Sequence, residues 1–268
     1  MRISKYIYLT LLSIVISFCA HAEWTETNLR PGEIVVDLMT NDNIKISGSF
    51  YYPDDYLSGN NNARTKTYPG IILIHSWLRD RSDWTPLIPH LQKAGYAVIA
   101  IDLRNHGQSD GKQYWHKASY DHLTRMLNDA QAAYDYMAQQ PFINKNRMAV
   151  MGVSIGTIIA TRLCDKINHS SKAQPFRAAV MVSPARNYFG VTVSSAIERC
   201  TATPFLFAID KQDPSPTDNK IYTSGLKLYQ NYRGKKKLLE FDGTGHGNKM
   251  INTLRFIDET LTWLDTYI

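Results

Sequence analysis

The chain has 268 residues, 44% of them hydrophobic and 20% charged, with a formal charge of +6 from 30 basic and 24 acidic residues. That is ordinary globular composition, enough to bury a sizeable core. The basic residues are scattered apart from Lys235-Lys236-Lys237, so the clustered basic face needed by a nucleic-acid partner is missing.

The first residues read as a leader. Arg2 and Lys5 supply positive charge, Ile7 to Phe18 is apolar apart from Thr and Ser, and Ala20-His21-Ala22 offers the small-x-small pattern of a cleavage site. The apolar run is about a dozen residues, and a bilayer-spanning helix needs about twenty. The expectation is a signal peptide over 1–22, cleaved after Ala22, then one domain over 23–268. An uncleaved anchor is the alternative, and the bulky Phe18 before Cys19 argues against a lipoprotein. Cleavage implies a periplasmic or secreted protein with no stable membrane insertion afterwards, and lowers the charge from +6 to +4. It also leaves Cys164 and Cys200, which an oxidising compartment could join; two buried free thiols are the competing reading.

Glu33 to Thr40 and Ile44 to Tyr51 read as an antiparallel hairpin around the polar turn Asn41-Asp42-Asn43. Ser58 to Thr67 reads as a loop. Ile71 to His75 is a continuous apolar run, the mark of a strand covered on both faces. Strands and helices then alternate: a helix over Trp84 to Ala94, a strand over Val98 to Asp102, and a long helix over Tyr120 to Gln139. A strand over Met148 to Gly152 leads to a helix over Ile155 to Ile167. Strands follow at Ala178 to Ser183 and Phe205 to Asp210, with a helix over Asp218 to Tyr232. A strand over Lys237 to Phe241 and a helix over Asn248 to Tyr267 close the chain. This alternation implies an eight-stranded, mostly parallel sheet with an antiparallel N-terminal edge and helices on both faces.

The sharpest chemical signal is Gly152-Val153-Ser154-Ile155-Gly156, between an apolar strand and an apolar helix. That context is what a nucleophile elbow needs, since its glycines allow a turn too tight for side chains. A serine hydroxyl attacks only if a histidine takes its proton and an acid orients that histidine. His246, in Gly243-Thr244-Gly245-His246-Gly247, is the natural base. His169 lies in a polar stretch that reads as solvated loop. For the acid, Asp210 and Asp213 both qualify by position. Asp213, in the loop beyond the strand, is favoured, and Asp210 would then cap the loop. Asp218 reads as a helix cap, and Asp242 is too near His246 in sequence.

The order Ser154, Asp213, His246 resembles the α/β-hydrolase fold superfamily, particularly small capless members related to dienelactone hydrolases and bacterial esterases. The likeness runs from about Tyr68 to the C-terminus. It is carried by His75-Ser76-Trp77, by Asp102-Leu103-Arg104-Asn105-His106-Gly107-Gln108-Ser109, by the elbow, and by the Asp and His loops. The family's acid loop often reads G-x-x-D, which the resemblance lays on Asp210 to Asp213 with Asp210 in the glycine's place. The resemblance also implies an oxyanion hole made by the backbone N–H groups of Ile155 and Trp77, although His75-Ser76 stands where the family has His-Gly. It implies that His106 and His75 support their loops. Trp77 leans towards the substrate pocket; Trp84, Tyr114, Trp115 and Tyr188 could line that pocket or equally well be core or rim packing.

Few residues separate Ser183 from Phe205, so no helical lid is expected there. An open site suits carboxylic esters or thioesters of modest size, with no metal or organic cofactor. The expected activity is a carboxylesterase-like serine hydrolase acting on a small molecule. A serine peptidase or acyltransferase with the same three residues, and a catalytically silent binding protein, are the alternatives.

Overall fold

In the computed structural model, residues 29–58, 65–111, 119–213 and 221–268 are described. The leader over 1–22, Tyr114, Trp115 and Asp218 lie outside them. The elements below belong to one compact unit, Pro31–Ile268.

The hairpin pairs β1 (Glu33–Met39) with β2 (Lys45–Tyr51), from Glu33 opposite Tyr51 to Met39 opposite Lys45. Its turn is closed by Thr40, whose hydroxyl accepts from the Ile44 N–H at 2.9 Å, and by Asn43 at φ 60°, a conformation asparagine tolerates. β2 lies antiparallel to β4 (Ala97–Ile101), and the strands beyond run parallel. With β3 (Tyr68–Ile74), β5 (Ile143–Val153), β6 (Ala178–Val182), β9 (Phe205–Asp210) and β10 (Lys236–Phe241), the order is β1-β2-β4-β3-β5-β6-β9-β10. A separate ribbon pairs β7 (Asn187–Tyr188) with β8 (Val191–Thr192).

Alternate residues of the central strands enter two cores. Ile72, Ile74, Ile99, Val150 and Met181 face one, beneath α3 (Tyr120–Gln139) and α4 (Ile155–Asn168). Ile71, Leu73, Val98, Met151 and Val180 face the other, beneath α2 (Ile88–Lys93) and α8 (Leu254–Tyr267). Burial on both faces is why these strands read as unbroken apolar runs. Each such side chain contributes roughly 1.5–3 kcal/mol. The remaining helices are short: α1 (Asp54–Leu57), α5 (Ser194–Arg199), α6 (Ile221–Asn231) and α7 (Asn248–Ile251).

Several boundaries differ from the sequence reading. β3 begins at Tyr68, not Ile71, because Gly70 continues the strand; a Cβ there would meet Met137 Cε of α3 at 2.6 Å. β5 begins at Ile143, paired with Tyr68 across a register shift. The helix expected over Trp84 to Ala94 divides into a 3₁₀ turn, Arg81–Trp84, and α2; Pro86 and Pro89 deny it a continuous N–H ladder. The last helix divides at Thr253, whose hydroxyl accepts from the Phe256 N–H at 3.2 Å and starts α8 anew. The stretch from Ser183 to Phe205 is not bare either. It holds the β7–β8 ribbon and α5. Cys164 and Cys200 are buried free thiols.

Candidate active site

The residues singled out in the sequence gather at the carboxyl ends of the parallel strands, where open α/β sheets build their sites. β5 ends at Val153, and Ser154 turns the chain into α4 at φ 52°, ψ −116°. This strained conformation costs on the order of 1–3 kcal/mol and survives only where the surroundings over-determine it. Here they do. The Ser154 N–H donates to Val182 O at 2.8 Å, and the Thr157 hydroxyl donates to Ser154 O at 2.6 Å. A Cβ on Gly152 would sit 2.3 Å from Gly156 O, and one on Gly156 would sit 2.4 Å from Ile74 O. Both glycines are therefore demanded by backbone approach, as well as by the turn itself.

The His246 loop leaves β10 through Gly243, Gly245 and Gly247, with φ of 79°, 103° and 53°. Three of its residues, Gly243, Thr244 and Gly245, donate their N–H groups to the Asp210 carboxylate, and Gln212 N–H donates to it from the other loop. Burial raises the Asp210 carboxyl, but these four donors outweigh it and hold the group below the usual carboxylate range. Asp210 thus braces the loop. Asp213 instead meets the imidazole: its two carboxylate oxygens lie 2.8 and 2.9 Å from His246 Nδ1. The Asp213 side chain is fully buried, and that of His246 is 28% exposed.

The turn after β3 carries Ser76 where the family's glycine would stand. Asp83 holds it, accepting from the Ser76 N–H at 3.0 Å and from the Ser76 hydroxyl at 2.7 Å. Leu78 takes φ 58° as the Arg79 N–H closes the turn on Ser76 O at 3.3 Å. Among the described residues, the N–H groups of Trp77 and Ile155 have no hydrogen-bond partner. For Ile155 this follows from its place at the first position of α4. Two donors of this kind can serve an incoming oxyanion.

His75 and His106 are tied inward. His75 Nδ1 lies 2.7 Å from Ser76 O, and its Nε2 accepts from the Leu103 N–H at 2.9 Å, so the ring is neutral; burial lowers its pKa. His106 Nδ1 donates to Arg104 O at 2.9 Å, and its ring packs edge-on against Trp77 with centroids 4.9 Å apart. Burial, then the neighbouring His75, lowers the His106 pKa to about 4. His169 lies at the exposed C-terminus of α4, with Nδ1 2.8 Å from Asp165 O. Lys236, from the basic triplet, donates to Tyr229 O and Tyr232 O at the end of α6.

Sequence reasoning gives no site role to two residues here: Ser183 marks only a strand end, and Tyr188 stands only among aromatics for pocket, core or rim. Ser183, at φ 50° just past β6, donates to Asp213 Oδ2 at 2.8 Å and accepts from the Gly247 N–H at 2.9 Å. It links the two loops. Its position at a strand's carboxyl end was the available signal. Tyr188, from the ribbon, places its hydroxyl 3.1 Å from Ser154 Oγ, which donates to it, while the Tyr188 hydroxyl donates to Ser183 O at 3.2 Å. Burial raises the Tyr188 pKa, so the phenol is neutral. No local pattern marked this residue, because a ribbon of two residues per strand has no periodicity to read.

Comparison with known proteins agrees with this fold. A sequence model of the alpha/beta hydrolase fold family matches residues 69–207. A serine hydrolase-like protein of Dictyostelium discoideum is 28% identical over 100 residues, which is 37% of this chain and 25% of that one. The chain therefore matches about a quarter of that relative's length. Among solved structures, an esterase of Pyrococcus furiosus superposes with TM-score 0.67 at 18% identity, covering 88% of this chain and 91% of that one. The ferulic-acid-bound Est1E of Butyrivibrio proteoclasticus gives 0.65 at 16%, with 87% and 97% covered. A dienelactone hydrolase of Anabaena variabilis gives 0.62 at 15%, with 88% and 98% covered. At these identities the structural likeness is one of fold. The family match, more than half of the chain, adds sequence to it: this protein belongs to the alpha/beta hydrolase fold family.

Proposed function

We propose that this protein is a serine hydrolase that cleaves small carboxylic esters or thioesters through an acyl-enzyme on Ser154. The observation that carries the reading is the pairing of His246 Nδ1 with the buried Asp213 carboxylate, which Ser183 and Tyr188 link by hydrogen bonds to a serine held in the elbow conformation. With Nδ1 committed to Asp213, Nε2 is the nitrogen free to take the Ser154 proton. In the resting arrangement that proton points to Tyr188, so the hydroxyl must turn from Tyr188 to His246 before attack. Ser154 Oγ then adds to the carbonyl carbon while the N–H groups of Ile155 and Trp77 stabilise the oxyanion. The imidazolium gives its proton to the departing alcohol or thiol. Water, deprotonated by His246, releases the acid and restores Ser154.

Esterases among the fold neighbours and the serine hydrolase-like relative support this choice of chemistry. The residues need no metal or organic cofactor for it. The leader expected over 1–22 supports a place in the periplasm or outside the cell.

A fluorophosphonate probe, with a panel of p-nitrophenyl esters and aminoacyl anilides, tests the proposal. The probe should label Ser154, the esters should turn over, and Ser154→Ala should lose about 10⁶ in turnover while keeping its melting temperature. Turnover of anilides alone would replace the esterase reading by a peptidase one. An unlabelled Ser154 would end both.

A further inference from the structure

Tyr188 separates the nucleophile from a cavity. Its hydroxyl touches Ser154, and it also lines a cavity of about 350 Å³ between the β7–β8 ribbon and α6. That volume suits a small ligand group. Among the described residues, the charged members of its lining are both cationic, Arg186 and Lys227, with hydroxyls from Thr192, Ser194 and Ser224 beside them. Neither cation forms an ion pair among the described residues, and both side chains reach solvent.

The two charges come from different elements that are clamped together. The Arg186 N–H donates to Ser224 Oγ at 2.8 Å. Gly225 lets α6 approach so closely that a Cβ there would meet Pro184 O at 2.8 Å and Ile209 Cγ2 at 2.9 Å. Two like charges bordering one small cavity favour an anion between them.

We infer that this cavity receives the anionic end of the substrate, so that the preferred esters carry a carboxylate a few atoms from the scissile carbonyl. The inference rests on the hydrolase reading above and narrows it. Tyr188 borders both the cavity and Ser154 Oγ, so a substrate of short chain length would reach past this one residue from one to the other. Arg186 would grip the carboxylate by its planar fork, and Lys227 would add a second, more mobile charge.

Two matched ester pairs test it. Mono-p-nitrophenyl glutarate against p-nitrophenyl pentanoate places the charge on the acyl side; 4-carboxyphenyl pentanoate against phenyl pentanoate places it on the alcohol side. At low salt the wild type should favour the charged member of one pair by about tenfold in kcat/KM, mostly through KM. That ratio should fall towards one in Arg186→Gln/Lys227→Gln, and in about 0.5 M salt, where screening is strong. No preference in either pair, or one that survives the double variant, overturns the inference. Calorimetric titration of glutarate into Ser154→Ala reads the cavity without catalysis. Saturable binding weakened by the double variant supports it even if no ester turns over, and absence of binding overturns it whatever the activity.

Discussion

The floor of the site and its cover are built differently. The floor consists of the elbow and the His246 loop, held by backbone at contact distance: Gly156 against Ile74 O, and the Asp210 carboxylate under four N–H groups. The cover is the ribbon Asn187–Thr192, paired at two register positions, with Phe189 and Gly190 at φ 49° and 84°. Among the described residues, a Cβ on Gly190 would meet only Tyr120 Cδ2, at 3.8 Å. The proposed chemistry thus sits on closely packed backbone, and the proposed contact with substrate falls to a thinner segment tied to it through Tyr188. This division fits the way loops on a rigid scaffold carry binding.

The largest test of the floor is within its pair of aspartates. Asp213→Asn should lower kcat by about 10⁴, because an amide oxygen no longer stabilises the imidazolium and can leave the wrong tautomer in place. Asp210→Asn should instead cost about 2 kcal/mol of stability, as a charged acceptor of several N–H groups becomes neutral, with a far smaller effect on kcat. Steady-state kinetics and chemical denaturation on both variants decide it. Equal losses of kcat would erase the distinction between base-orienting and loop-bracing acid.

The next contrast is between glycines. Gly156→Ala drives a Cβ to 2.4 Å from Ile74 O and 2.7 Å from His75 O; neither carbonyl can move without breaking β3 from α4. It should cost about 3 kcal/mol or more. Gly190→Ala has open space and should cost about 1 kcal/mol, the strain of positive φ alone. Similar melting temperatures for the two would mean that floor and cover are equally yielding.

A pH titration probes the wall between them. His106 titrates at about 4 in the fold against 6.5 when unperturbed. Between those values the unfolded chain holds the extra proton, so stability is full above about pH 6.5 and is lost as pH falls towards 4. The loss is at most about 3 kcal/mol, and His106→Gln should flatten this part of the stability curve measured by calorimetry. An unchanged slope in the variant would remove His106 as its source.

The smallest effect belongs to the cover. Tyr188→Phe frees the Ser154 hydroxyl from a neutral hydrogen bond of about 1 kcal/mol. Fluorophosphonate labelling should then quicken by a few-fold. A slower reaction would show that the phenol assists attack instead of competing with His246.

Much of the floor was legible beforehand. The elbow showed because its glycines, its serine and the flanking apolar runs are contiguous. The hairpin showed because its turn residues and alternation are local. Boundaries failed where packing overrode local preference: Pro69-Gly70 reads as a break, yet α3 needs a glycine at that point of β3. Thr253 started a helix within a stretch whose apolar pattern looked continuous.

The sequence by itself determined the parallel sheet and offered the nucleophile and histidine candidates, since each rests on neighbours along the chain. It favoured Asp213 over Asp210, three residues apart at the end of one strand, on position alone. The contacts that separate them come only with the tertiary structure, in which one carboxylate faces backbone N–H groups of the His246 loop and the other faces imidazole. Ser183, Tyr188 and the cationic cavity likewise exist only as meetings of distant segments. Their distances and burial come from packing between elements, and periodicity along a chain cannot encode them.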